Sequence, residues 1–190
     1  VSPQMRHYDL PLPPDVKAAL AAIHAGVVCV GVTGRATGLE GFFGCELELA
    51  SGQVISICAD QNDLEFKFEV FPIKAVFASA FEAEERQQTL ICAPVEVVLL
   101  KTQDWLDPGI PCEGAIGQNP IMQCQGLPGE APATAITACT YIGGIELRGS
   151  NGATLVVATL AFPYAIHVSD FAGGGAIERQ AYASVPLVVG

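Results

Sequence analysis

Short strand-like segments follow one another through most of this chain and constrain its fold more than any other feature. The stretches CELEL, QVISICA and LEFKFEV alternate or run apolar over five to seven residues. The segments ASG and DQND separate them and are rich in residues that form turns. Short strands joined by tight turns pair with each other in antiparallel fashion. The pattern therefore predicts a mainly β fold made of antiparallel meanders.

One segment near the N-terminus follows a different period. In PPDVKAALAAIHAG, the apolar residues Val16, Leu20 and Ile23 form a single stripe at helical spacing. Gly26 comes next, and glycine is the preferred residue just after a helix. The spacing predicts a short N-terminal helix over about 15–25.

A second departure from the strand pattern lies in mid-chain, in the segment SAFEAEERQQ. Ser79 and Glu82 have the spacing of a capping box, in which each residue bonds to a free backbone N–H at the start of a helix. Acidic residues come early and Arg86 comes late, as the helix dipole favours. This segment therefore predicts one short mid-chain helix.

The strand-rich part of the chain resembles itself at an offset of 100 residues. Residues 44–71 and 144–171 align without a gap and share five identical residues in 28 positions, with their apolar strand residues in phase. We interpret the two segments as an internal pseudo-repeat that arose by duplication. The alternative is that two unrelated meanders share glycines at turns and branched residues at alternate positions.

Each meander has an apolar face that it cannot bury alone. Two halves that pack face to face, or that close into one barrel, bury both faces. A chain of 190 residues is long enough for one large core. We therefore expect a single domain over 1–190, an antiparallel two-part sandwich or barrel made of two similar meander halves.

The segment between the two halves is rich in proline and glycine. Residues 107–132 contain five prolines and five glycines. They also include apolar residues such as Ile110, Ile121 and Leu127, whereas flexible linkers are usually polar. We expect an ordered connector that packs onto the domain. A binding loop is the alternative interpretation of so long a connection.

Charge and hydropathy exclude two classes of partner. The formal net charge is −11, from 9 Lys and Arg against 20 Asp and Glu. Nucleic-acid binding depends on basic side chains that displace counterions from phosphates, so no nucleic-acid partner is expected. The apolar runs are far shorter than the roughly 20 residues of a membrane-spanning helix, so no membrane association is expected. An acidic surface instead favours a basic protein partner.

The seven cysteines are spread along the chain without any C-x-x-C pair. An odd number without paired spacing is typical of reduced, buried thiols rather than of a disulfide framework or a zinc site. No secretory signal is visible in the N-terminal residues. We therefore expect a cytoplasmic protein without a metal site.

One glycine-rich stretch, VTGRATGLEG, follows an apolar strand-like segment. A dinucleotide site would need a helix after these glycines, whose N–H groups point at the phosphates. The residues that follow, FFGCELEL, predict a strand instead. We therefore expect no cofactor.

The segment DWLDPGIPCEG is the best candidate for a recognition surface. Asp104, Trp105, Asp107 and Glu113 place acidic residues around the one tryptophan of the chain. Aromatic residues contribute much of the binding energy of protein interfaces, and acidic neighbours select a basic partner. We predict that these four residues bind the partner. In the alternative interpretation, Trp105 plugs the core at the end of a strand.

The sequence leaves three functional hypotheses open. The preferred one is a non-enzymatic acidic protein-interaction module, comparable to inhibitor-type or immunity-type binders. The second is a structural subunit that forms homo-oligomers through apolar strand faces. The third is an enzyme with Cys112 or Cys124 as its nucleophile and His167 as its base. The first is preferred because the chain contains no catalytic motif.

Overall fold

Strands dominate the structure, and helix is confined to short segments. A computed structural model of the chain describes residues 6–35, 41–65, 68–106, 137–160, 164–172 and 177–188. The predicted mainly β, antiparallel fold is confirmed. The elements in chain order are β1 (Arg6–Asp9), α1 (Pro14–Ala22), β2 (Val27–Arg35), β3 (Phe42–Leu49), β4 (Val54–Ala59), β5 (Asn62–Glu65), β6 (Phe68–Val70), β7 (Ile73–Val76), β8 (Glu85–Ile91), β9 (Glu96–Leu106), β10 (Thr137–Arg148), β11 (Thr154–Thr159), β12 (Ile166–Val168) and β13 (Ala183–Pro186).

The predicted N-terminal helix is confirmed. Helix α1 continues into a 3₁₀ turn at Ile23–Ala25 and ends at Gly26, which has a φ of 101°. Val16 and Leu20 are buried in the core, which also contains side chains of β7. Within the described ranges, no helix is long and apolar enough to cross a membrane.

The predicted mid-chain helix is wrong, because its residues form an irregular segment followed by strand β8. Ser79 does not cap a helix; its hydroxyl donates to the Glu46 carboxylate at 2.6 Å. Strand β8 pairs antiparallel with β2, which would otherwise lack a partner on that side. The local helical signals are therefore overridden by tertiary contacts of this segment with strands β2 and β3.

Eleven of the described strands form one sheet. Its hydrogen-bonded path runs β13-β9-β10-β11-β12-β3-β2-β8, and β4 joins β3 to β7. Strand β1 adds to β10 in parallel, and the other pairs are antiparallel. Strands β5 and β6 pair separately. In the part of the chain that is described, the path ends at β13 and β8, so the sheet is open rather than closed into a barrel.

The two hairpins β3–β4 and β10–β11 have the same register. Each of the four residue pairs of the first, such as Glu46 opposite Ser56, has a counterpart 100 residues later, such as Glu146 opposite Val156. The likeness ends at the third strand, because β12 pairs with β11 whereas β6 pairs with β5 and the partner of β4 is β7. Duplication itself stays a prediction.

One core cluster contains apolar residues of both hairpins. Leu47 and Ile55 of the first half and Leu147 and Leu155 of the second half are fully or almost fully buried in it. Alternation along the strands turns these residues to one face and leaves the residues between them on the other. A single domain over 1–190 stays a prediction, and the predicted connector 107–132 lies outside the described residues.

We expect Gly52→Ala and Gly152→Ala to destabilise the protein equally, by about 1 kcal/mol each. The two glycines have φ angles of 83° and 80° at equivalent turns, and open space surrounds the position of an added Cβ at both. The cost is therefore backbone strain without a clash. Urea unfolding measures it, with Ser51→Ala as a control at an exposed turn position. Clearly unequal effects would show that the two turns are not equivalent.

Candidate functional site

The structure separates the residues of the predicted recognition patch. Asp104 lies in β9 and is 5% exposed. Trp105 follows it in the same strand, opposite Ala138 of β10, and its side chain lies outside the described residues. Asp107 and Glu113 also lie outside them. The Asp104 carboxylate, which is the one acid of the patch that is described, is therefore turned away from solvent.

Asp104 belongs to a buried polar group on the sheet. Its Oδ2 accepts a hydrogen bond of 2.6 Å from the hydroxyl of Tyr141. Cys139 stands directly opposite Asp104 in the β9–β10 ladder, and Tyr141 is two residues further along β10 on the same face. Tyr182 completes what we call the Asp104 cluster (Asp104, Cys139, Tyr141 and Tyr182), since its pKa responds to the Asp104 charge.

Burial determines the protonation of the Asp104 cluster. It raises the pKa of Asp104, and the hydrogen bond from Tyr141 only partly opposes this. It also raises the pKa of Tyr141 well above its ordinary value, helped by the negative charge of Asp104. Burial and the same charge raise the pKa values of Tyr182 and Cys139 to about 12. Both phenols therefore act as hydrogen-bond donors at neutral pH.

The segment around residue 181 covers this face of the sheet. The Tyr182 hydroxyl donates to the carbonyl oxygen of Thr159 at 3.1 Å, and the Thr102 hydroxyl donates to that of Ala181 at 3.4 Å. Both contacts tie the chain before β13 to strands β9 and β11. No local pattern in the sequence predicts these partners, because Tyr141 meets Asp104 only when β9 pairs with β10, and Tyr182 comes near it only when β13 pairs with β9.

Two carboxylates occupy equivalent positions in the two hairpins, and each is paired with arginine. Glu46 is 2% exposed and lies 2.9 Å from Nη2 of Arg86. Glu146 accepts from Nε of Arg148 at 2.7 Å and from Nη2 of Arg179 at 3.0 Å. The hydrogen bond from Arg148 is the main cause of the lowered pKa of Glu146. The first pair binds strand β8 to β3, and the pair of Arg179 with Glu146 binds the segment before β13 to β10.

At the surface, most of the positive side chains form ion pairs within the chain, whereas several of the negative side chains do not. Lys74 and Lys101 also pair with carboxylates of the chain, Asp60 and Asp9, at 3.7 Å. By contrast, Lys17 is the one described lysine without an ion pair, whereas five exposed carboxylates have no ion pair or hydrogen bond with any described residue: Asp15, Glu48, Glu82, Glu84 and Asp170. The surplus of negative charge is therefore concentrated in unpaired surface acids.

Strand β8 forms one free edge of the sheet. Its residues Glu85–Gln88 are all exposed, and within the described ranges no strand pairs with their outer side. Near its end, Thr89 and Leu90 together face a single residue of β2, which is a β-bulge. The side chain of Asn151 donates to the carbonyl oxygen of Leu90 at 3.0 Å, so the edge of β8 already has a hydrogen-bond partner near Leu90. Glu85, at the other end, makes a contact of its own, so the free edge is limited to Arg86–Gln88.

The residues of the enzyme hypothesis are not brought together by the described structure. Cys112 and Cys124 lie outside the described residues. His167 lies in β12 and makes a contact of its own. Among the other thiols, burial raises the pKa values of Cys45 and Cys58, which disfavours the reactive thiolate. The described ranges contain no group of three or more His, Cys, Asp or Glu arranged to hold a metal ion.

Two concave sites lie away from the Asp104 cluster. A cavity of about 240 Å³ lies between the chain before α1 and strand β7, and its wall includes the ion pair of Asp60 and Lys74. A more open groove of about 480 Å³ is lined by Val97, Leu187 and His24, whose Nδ1 lies 3.3 Å from the carbonyl oxygen of Val95. Lys74 in the first site and His24 in the second thus have partners within the protein.

Comparison with protein-family models, with curated proteins and with solved structures finds no match to this chain.

We expect Tyr141→Phe to destabilise the protein by about 1–3 kcal/mol at neutral pH, because the buried Asp104 carboxylate loses its hydrogen-bond donor. Urea unfolding measures the change. Tyr164→Phe is the matched control, because Tyr164 is 50% exposed and donates to Gln61 at the surface. An equal effect of the two substitutions would show that the Asp104 cluster has no special role in stability.

Asp104→Asn and Glu146→Gln are expected to change the pH dependence of stability in opposite directions. The raised folded-state pKa of Asp104 gives a contribution that is present below the ordinary value of 3.8 and is lost as the pH rises through the raised value. The lowered pKa of Glu146 gives a contribution that is present above 4.5 and is lost as the pH falls.

Unfolding free energies between acid and neutral pH check this expectation. Relative to Asp104→Asn, the wild type should lose stability as the pH rises. Relative to Glu146→Gln, it should lose stability as the pH falls. The same slope for both substitutions would contradict the opposite environments of the two carboxylates.

Proposed function

We propose that this chain is a non-enzymatic acidic protein-interaction module that binds a basic protein partner. The observation that carries the proposal is that three arginines are paired within the chain whereas several exposed acids are not. The guanidinium groups of Arg86, Arg148 and Arg179 bind carboxylates of the chain itself, whereas exposed acids such as Glu82 and Glu84 have no cationic partner among the described residues. Unpaired carboxylates attract a basic surface and orient it during association.

The predicted patch of Asp104, Trp105, Asp107 and Glu113 is part of the same proposal. The burial of Asp104 supports an indirect role for it, in which its carboxylate anchors Tyr141 beneath the partner surface. Trp105, Asp107 and Glu113 supply the direct contacts.

A cytoplasmic location also belongs to the proposal. Five cysteines in the described ranges are free thiols, as expected in a reducing compartment: Cys29, Cys45, Cys58, Cys92 and Cys139. A structural homo-oligomer is the weaker candidate, because copies that each carry a net charge of −11 repel one another.

We expect the triple variant Glu48→Gln/Glu82→Gln/Glu84→Gln to bind a lysine-rich disordered peptide about tenfold more weakly than the wild type does, because three unpaired charges are lost. Isothermal titration calorimetry measures the affinity. The same peptide with glutamine in place of lysine should not bind. Equal affinity of the wild type for the two peptides would contradict the proposal.

A second variant, Asp15→Asn/Asp170→Asn/Glu178→Gln, is the charge-matched control. It removes as many charges at other positions and tests whether the surface near β8 matters more than net charge. The patch variant Trp105→Ala/Asp107→Asn/Glu113→Gln tests the second acidic surface in the same assay. If the first triple variant and the control weaken peptide binding equally, binding depends on net charge alone.

A further inference from the structure

The free edge of β8 is the described surface best suited to a specific partner contact. An edge strand has a row of N–H and C=O groups that a strand from another protein can bond. Arg86–Gln88 are exposed, include no proline and pair with a strand on one side only within the described ranges. Leu90 lies next to them and is 62% exposed, which provides an apolar contact at one end.

The other end of the sheet is less suited to this role. Strand β13 ends in Pro186, which has no N–H to donate. Arg179 lies beside it and donates to Ser184 at 2.6 Å. Arg179 is paired with Glu146, and β13 contains no acidic side chain that could attract a basic partner.

Charge identifies the kind of strand that fits β8. Glu82 and Glu84 lie just before the free edge and are exposed, and they have no ion pair with any described residue. Arg86, the one cation of β8, is bound to Glu46 and does not offset them. A second copy of the chain would bring like charges together. A lysine-rich segment would instead bring opposite charges to the edge.

We propose that the free edge of β8 at Arg86–Gln88 binds an extended, lysine-rich segment of a partner protein as an added strand. The inference rests on the proposed function and adds the mode of binding to it. Backbone hydrogen bonds hold the added strand, and the carboxylates before β8 select its lysines. The partner is thus recognised in extended conformation as well as by charge.

The test uses a short peptide of alternating lysine and valine and the same peptide N-methylated at every second residue. N-methylation keeps the charge but removes the N–H groups that a strand donates. We expect the unmethylated peptide to bind about tenfold more tightly. We also expect its binding to slow the hydrogen exchange of outward-facing amides in Arg86–Gln88.

Gln87→Pro and Gln88→Pro complete the test. Adjacent residues of a strand direct their N–H groups to opposite sides, so one substitution removes an outward donor and the other removes a donor to β2. The variant that lacks the outward N–H should keep the urea midpoint of the wild type. It should also weaken binding of the unmethylated peptide about tenfold. The variant Glu82→Gln/Glu84→Gln should weaken binding of both peptides to a similar degree.

The outcomes separate the inference from the proposed function. Equal binding of the two peptides would overturn strand addition and leave charge recognition intact. Failure of both peptides to bind would overturn the inference together with the proposed function. Unchanged binding by both proline variants would also overturn strand addition. A wild-type dimer that the outward proline variant dissociates would assign the edge to a second copy, contrary to the inference.

Discussion

The buried carboxylate of Glu46 is the constraint on which much of the arrangement depends. It lies between two core residues of β3, so strand alternation turns it to the opposite face, where it is 2% exposed. A buried carboxylate must be paired, because its desolvation is otherwise very costly. Arg86 and Ser79 supply the partners at 2.9 and 2.6 Å. Both precede or lie in β8, so the need to satisfy Glu46 holds this segment across the sheet.

In the second half of the chain, the equivalent carboxylate is paired with different residues. Glu146 occupies the equivalent strand position and is paired with Arg148 and with Arg179 of the segment before β13. An aromatic ring accompanies each covering segment. Phe81 packs so close to Gly44 that a Cβ there would lie 2.3 Å from the ring, and Tyr182 lies over Gly143. In each half, an arginine and an aromatic residue thus fasten an edge strand and the segment that leads into it.

Local signals in the sequence were enough to predict the parts of the fold that depend on local periodicity. The N-terminal helix and the matching hairpins at an offset of 100 residues are of this kind. The mid-chain helix failed because the partner of Ser79 is 33 residues away in β3. Asp104 was interpreted as a surface acid for a similar reason, since Tyr141 meets it only when β9 pairs with β10. Long-range pairing of this kind leaves no local pattern.

The internal pairing that fixes the fold also sets the charge of the sheet edge. Arg86 is drawn to Glu46, so the acids before β8 are left without the cation nearest to them in sequence. A free edge strand tends to pair with copies of itself, and like charge on every copy opposes this self-association. The same charge attracts a basic segment. Burial of one glutamate in β3 therefore helps to hold β8 at the end of the sheet and leaves the acids before it unpaired.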